Sequence, residues 1–495
     1  MQRRAIFGAH SRAHEYHEWL IFLSRFVIDF ACGRILNDAD RLRRQTQTLI
    51  EGRALRASAL RTVRMREAQA DASALSLHES PYDRAGSAES NCPLDTLEHA
   101  GPLPVASSQA PSEYRTLAGL LLGAAFLILG NGLFQTLIPL RLVRHGESTL
   151  VVGFIQSCYY LGFLLGAFTA RRLIDRFGQH RVFVTFAALA AILTQAFGAF
   201  ESAPTLALIR LATGFAFMGL FSSIESWIQG TASNANRGRI FATYTTINYF
   251  SLCTGQLMLN IGSPGATTGF SLASGLFAAA IIPVALLSGW PKTSDSDANN
   301  PMRAHSWIEV LRALTGATSL AVPGCILAGL LYSSFYSLMP VFLVRSGFAT
   351  SDLSLFMGVC LLGALFTQRP IGRLSDRYAR RVLVFRIALL SAALSTALVL
   401  LHQGAFLWIG AIAYVAVTFT QYGLVAGDTN DRIDPQLRVA ISSLLLVLFS
   451  VGGMTGPAIA SVFMTVLGAK GIFAFNALAC LALAWAARSS RKATL

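Results

Sequence analysis

From residue 114 onward the chain alternates long apolar runs with short polar joints. A hydrocarbon layer of ~30 Å asks for about 20 apolar residues in a helix rising about 1.5 Å per residue, and these runs have that length. Twelve are predicted, at 116–140, 150–170, 182–201, 204–229, 239–261, 268–290, 316–342, 351–371, 383–402, 405–427, 439–466 and 471–487. The pattern predicts an all-α membrane protein. Residues 1–113 have a different texture. Within them 16–36 reads as an interfacial helix, 41–70 as an Arg/Ala/Leu-rich helix, and the proline-rich 71–113 as disordered.

The runs repeat. FQTLIPLRLVRHG, with Pro139 and Arg144, returns as FYSLMPVFLVRSG, with Pro340 and Arg345. RRLIDRFGQH returns as GRLSDRYARR, pairing Asp175 with Asp376, and Arg237 and Gly255 return as Arg438 and Gly456. The offset is 201 throughout, without a gap. Such an offset, held from the first run of each half to the fifth, implies a duplicated block of six spans. Six is even, so the copies run parallel about an axis normal to the bilayer, with a solute site expected at the midplane between them. The predicted organisation is an extension at 1–113, a six-helix half at 114–290, a linker at 291–312, a second six-helix half at 313–488 and a tail at 489–495.

Composition agrees with the pattern, and charge orients it. Hydrophobic residues make up 53% of the 495 and charged residues 13%, against about 25% charged in soluble proteins. The net charge of +14 raises the question of nucleic acid. Residues 1–113, however, hold 14 Arg against 14 acidic groups, so the whole excess belongs to the apolar body. There, one set of joints with the C-terminal tail carries 20 Lys and Arg, and the opposite joints carry 4. By the positive-inside rule both termini lie in the cytoplasm, and the basic excess is a topology signal, so no nucleic-acid partner is expected. The seven cysteines show no metal-ligand spacing and read as small buried hydrophobes, so neither a metal nor another cofactor is expected. No Walker loop, G-x-S-x-G or HExxH is present, which argues against an enzyme.

The joints between the second and third spans of each half resemble the signature of the major facilitator superfamily, roughly G-x-L-x-D-R-x-G-R-R. The second copy, Gly372 to Arg381, departs only at Ala379; the first keeps Leu173, Asp175, Arg176 and Gly178 but has Arg171, Gln179 and His180 at the other places. The run Ile224-Glu225-Ser226-Trp227, with Asn236 to Arg239, Tyr244 and Gly255-Gln256, resembles the bacterial YcaD-type group within that superfamily. The resemblance covers about residues 114 to 488. It implies a monomeric inner-membrane secondary transporter that rocks one half against the other to move a small solute, with a proton as the candidate coupling ion. A sensor or assembly factor on the same scaffold is the alternative.

Candidate residues follow from charge and position. Asp175 and Asp376, each followed by Arg (Arg176 and Arg377), sit at cytoplasmic span ends, where a carboxylate caps a helix N-terminus and pairs with arginine; with Arg181 and Arg380 they form the predicted latch. Glu225, well inside span four, is either part of that gate, meeting Arg176 or Arg181, or a proton carrier. Arg210 is the one cation deep in a span, and its burial costs about 2.5 to 3.5 kcal/mol, so it faces either the cavity or a packing hydrogen bond. It opens Arg210-xxx-Gly214, a pattern that the superfamily resemblance ties to proton coupling. Asn131 and Gln135 share a helix face, and the offset maps them to Tyr332 and Tyr336, so both pairs are expected to line the cavity. Gly162-xxx-Gly166 and Gly452-xxx-Gly456 have the spacing of close helix crossings.

Overall fold

The computed structural model describes residues 110–231, 237–261, 267–286, 307–434 and 437–489. The expectations for residues 1–109 and for most of the linker lie outside these, as do those for the side chains of Arg171, Arg237 and Arg438. Every described element is a helix. The first half comprises α1 (Ala110–Arg144), α2 (Thr149–Phe177), α3 (Gln179–Ala199), α4 (Ala203–Thr231), α5 (Arg237–Leu257) and α6 (Thr268–Ala285). A linking helix α7 (Trp307–Ala317) leads to the second half, α8 (Ala321–Arg345), α9 (Thr350–Arg377), α10 (Arg380–Leu400), α11 (Gly404–Thr418), α12 (Gln421–Arg432), α13 (Arg438–Val466) and α14 (Gly471–Ser489).

Among the described residues, eleven segments are long and apolar enough to cross a membrane, with α11 and α12 counted as one. The helix that falls short is α5. Its 21 residues have the length, but its sequence carries Tyr244, Asn248, Tyr249 and several threonines, and it packs on α9 of the other half. A helix wedged between halves does not need an apolar circumference. With α5 the described residues hold a helical segment at each of the twelve places that the runs predict.

The duplication is visible in the packing. Gly255 on α5 sits on the Leu129 carbonyl of α1, and Gly456 on α13 sits on the Leu330 carbonyl of α8, each pair being the other shifted by the sequence offset. Between halves, α2 packs on α13 and α5 on α9. We call the two ends of the bundle after residues they hold, the Arg144 end and the Asp175 end.

Two details depart from the run pattern. The tenth span is interrupted at Phe419 and Thr420, where α11 gives way to α12. Both residues keep right-handed helical dihedrals and both flanks are apolar, so hydropathy passes over the break. The predicted linker also ends in order, since α7 buries Val310 and Leu314 in one core cluster with Cys325, Val425 and Leu483 and therefore belongs to the second half.

Candidate solute site and gate

Arg210 on α4 is 1% exposed and fully surrounded by protein. Its Nη2 donates to Oε1 of Gln135 on α1 (2.7 Å) and to Oε1 of Gln156 on α2 (2.8 Å). Gln135 in turn donates to Asn131 at 3.4 Å, so Asn131, Gln135, Arg210 and Gln156 form one chain of amides and guanidinium across three helices. The guanidinium lies 4.4 Å from the ring centre of Tyr159 and 5.6 Å from that of Phe134, a cation–π arrangement. Among the described residues Arg210 Nε and Nη1 make no hydrogen bond. The α2–α4 crossing sets this geometry. A Cβ on Gly162 would collide with the Leu211 carbonyl, and one on Gly214 with that of Tyr159, so only glycine lets the two backbones come close enough.

Tyr159 leads to the second half. Its ring meets Tyr160 at 5.1 Å, and Tyr160 lies against Gly453 of α13. Tyr332 of α8 acts electrostatically on both phenols. Tyr332 and Tyr336 pack at 4.7 Å from each other, and Tyr332 lies 4.8 Å from Phe419, at the break between α11 and α12. The Thr367 hydroxyl on α9 donates to the Ala416 carbonyl near this break, and Gln421, wholly buried at the start of α12, keeps Oε1 without a donor. The amide pair and the phenol pair thus face inward on related helices, with an aromatic belt between the halves.

At the Arg144 end the halves are tied together. Arg144 donates to Thr350 at 2.7 Å, Asn260 to Ser354 at 3.1 Å, and Ser354 to the Gln256 carbonyl at 2.7 Å. Gln256 stands where the second half has Pro457, and its side chain makes use of the difference. It accepts from Thr136 at 2.6 Å and donates to the Gly132 carbonyl at 2.9 Å, binding α5 to α1 beside the seam. Further in, Gln368 donates to Tyr249 at 3.0 Å. Every residue of α1 from 130 to 140 and of α8 from 333 to 343 is buried. Nearer the Asp175 end each of these helices has an accessible stripe, at 118, 119, 122, 125, 126 and 129 and at 322, 323, 326 and 327.

The Asp175 end is arranged differently. Asp175, Arg176, Arg181, Asp376 and Arg377 are all exposed, and Asp376 makes no ion pair among the described residues. Arg176 lies over the ring of its neighbour Phe177. Glu225 is accessible although its helix is inside the bundle, and its carboxyl acts electrostatically on Tyr244 of α5 and Tyr422 of α12, placing it in the wedge between halves. It makes no ion pair with Arg176 or Arg181 among the described residues. Arg380 pairs within its own half, with Asp431 at 3.4 Å.

One acid at this end escapes the run pattern. Asp428 lies one residue past the predicted tenth span, yet it is 4% exposed, accepts from Arg432 at 3.2 Å and acts electrostatically on Arg381. The signal was the i, i+4 spacing of Asp428 and Arg432 continuing the helix beyond 427. The offset maps Arg381 to His180 and Asp428 to Trp227, so the first half carries no acid at the place corresponding to Asp428. Asp428→Asn removes the acceptor charge from two arginines and should cost about 1–3 kcal/mol. A fall in melting temperature of the purified protein checks this, and an unchanged melting curve would contradict the pairing.

A bundle of two related six-helix halves, sealed together at one end and with polar groups buried at their junction, defines a membrane transporter. The chain belongs to the major facilitator superfamily, whose profile, described as Major Facilitator Superfamily, matches residues 120–430. It is similar to the uncharacterized MFS-type transporter YcaD of Salmonella typhimurium, 28% identical over 349 residues that cover 70% of this chain and 88% of that protein. Among solved structures it is similar to the nucleoside transporter NupG, with a TM-score of 0.64, 15% identity and coverage of 76% of this chain and 99% of that one. It is also similar to a bacterial homolog of the human lysosomal transporter Spinster in an inward-facing and occupied conformation, with a TM-score of 0.63, 15% identity and coverage of 78% and 97%.

Proposed function

We propose that this protein moves a small solute across the bacterial inner membrane by alternating access, with both termini in the cytoplasm and one half rocking against the other. The observation that carries this reading is the one-ended burial of α1 and α8. These related helices are closed all round toward the Arg144 end and accessible along one stripe toward the Asp175 end. With the basic joints on the cytoplasmic side, that is an inward-open arrangement. The exposed Asp376 and Arg377 are then one side of a latch in its released state, and Asp175, Arg176, Arg181 and Arg380 complete the gate when the wedge closes. Asn131, Gln135, Arg210, Tyr332 and Tyr336 serve the central site.

Phe177 and Tyr378 are exposed and related by the offset, which makes them suitable label positions. Spin labels on Phe177→Cys and Tyr378→Cys should report two distance populations whose ratio changes with solute. One distance under every solute would remove alternating access and favour a sensor on this scaffold.

Glu225 carries the coupling part of the proposal. A carboxylate in a membrane is retained where it has water and a task, and the wedge supplies the water. Arg210 is the second coupling candidate. Glu225→Gln should abolish accumulation driven by a pH gradient in proteoliposomes while solute exchange continues. A variant that keeps full pH-driven uptake would leave Glu225 as a gate residue only.

A further inference from the structure

Arg210 differs from the other partly or fully buried arginines in what surrounds its charge. Arg380 has Asp431, Arg381 is acted on by Asp428, and Arg141 by Glu201. The groups that act on Arg210 are Tyr159, Tyr160 and Cys158, with no carboxylate among them. The deepest cation therefore has two amide oxygens and an aromatic face as its environment, while Nε and Nη1 have no acceptor. A guanidinium held in the hydrocarbon region without a counter-ion is costly, and an anion brought to it gains charge-assisted hydrogen bonds.

We propose that the solute is an organic monoanion, a carboxylate on an aromatic or otherwise apolar body, and that Arg210 is the residue that takes its charge. The body of the solute lies against Tyr159, Tyr160, Tyr332, Tyr336 and Phe419, the belt where the halves meet. Tyr159 covers the guanidinium at 4.4 Å and is backed by Tyr160, which is itself pressed on Gly453 of the other half. When α13 draws away from α2, Tyr160 loses that support and the cover over Arg210 can lift. The anion thus meets its partner only as the halves part, which links recognition to the rocking motion. Gln135 and Gln156 hold the guanidinium in place and leave its remaining donors for the solute.

This rests on the transporter reading, and the experiment separates the two. Purified wild-type protein is titrated with benzoate, indole-3-acetate and octanoate, each beside its amide and its corresponding amine, with binding read by thermal shift and calorimetry. At least one carboxylate should bind 10-fold or more tightly than its amide, and the amines should not bind. Arg210→Gln should remove that 10-fold preference, bringing carboxylate and amide to comparable affinities, while Arg210→Lys should keep part of it. The wild-type comparison decides the matter even where a variant fails to fold. Amides or amines binding as well as carboxylates, or no carboxylate binding at all, overturns the proposal. The spin-label distances at Phe177 and Tyr378 test the transporter reading independently of solute charge.

Discussion

Replacing Gly214 with valine is expected to prevent accumulation of folded protein. The Cβ would occupy the place of the Tyr159 carbonyl oxygen, and the reciprocal Gly162 faces the Leu211 carbonyl in the same way. Both obstacles are backbone within helices, so neither moves without separating α2 from α4 along their length. Overpacking of a tight core commonly costs 1–3 kcal/mol, and a clash that only helix separation relieves should reach about 3 kcal/mol or more. Gly275, where an added Cβ meets nothing within 4 Å, is the matched control, and Gly275→Ala should be silent. Size-exclusion profile and melting temperature check both. Survival of Gly214→Val as a monodisperse protein with the wild-type melting temperature would contradict the crossing. Gly214→Ala carries the same Cβ and should also lower the melting temperature, and because the Tyr159 ring lies on Arg210, whatever protein does fold should bind solute more weakly.

Much of this crossing was legible in the chain. Small residues four apart announce close helices, and the offset of 201 announces that contacts come in pairs, as Gly255 on Leu129 and Gly456 on Leu330 do. The inward placement of Asn131 and Gln135 followed from the cost of amides in lipid. Hydropathy had no access to contacts that depend on chain trace. The break at Phe419 is hidden because helical dihedrals persist through it, and Asp428 is hidden because a span ends, by hydropathy, where its first charge appears. The partners of Glu225 were missed for another reason. Sequence places it well inside the fourth span, but which neighbour it meets depends on how far apart the halves stand. A sequence describes every state a chain can adopt together, whereas the structure describes one, with Glu225 near Tyr244 and Tyr422.

Oxidising a Gly358→Cys variant is expected to stop transport, and reduction to restore it. Gly358 on α9 faces Cys253 on α5 across the seam between halves, and a Cβ built there stands 3.6 Å from the Cys253 sulfur, with Leu257 at an ordinary 3.4 Å. A cysteine at 358 therefore fits without displacing its neighbours and offers its thiol to Cys253, within reach of the ~2.05 Å bond that a disulfide forms. The pair lies toward the Arg144 end, beside the Ser354 to Gln256 tie, so the bond would weld shut the side that must open to complete a cycle. Cys253 is 4% exposed, which calls for a membrane-permeant oxidant. Two thiols give up two protons and two electrons to that oxidant, and the intact mass falls by two hydrogens. Gly358→Ser should transport normally with or without oxidant, and Gly358→Cys in a Cys253→Ala background should be insensitive. The decisive measurement is uptake by the variant whose mass shows the bond. If that protein transports at the wild-type rate, the halves do not part along the α5–α9 seam and the rocking mechanism fails. If uptake falls to background and returns with reductant, the hydrogen bonds at the Arg144 end are a gate that has to break once in every cycle.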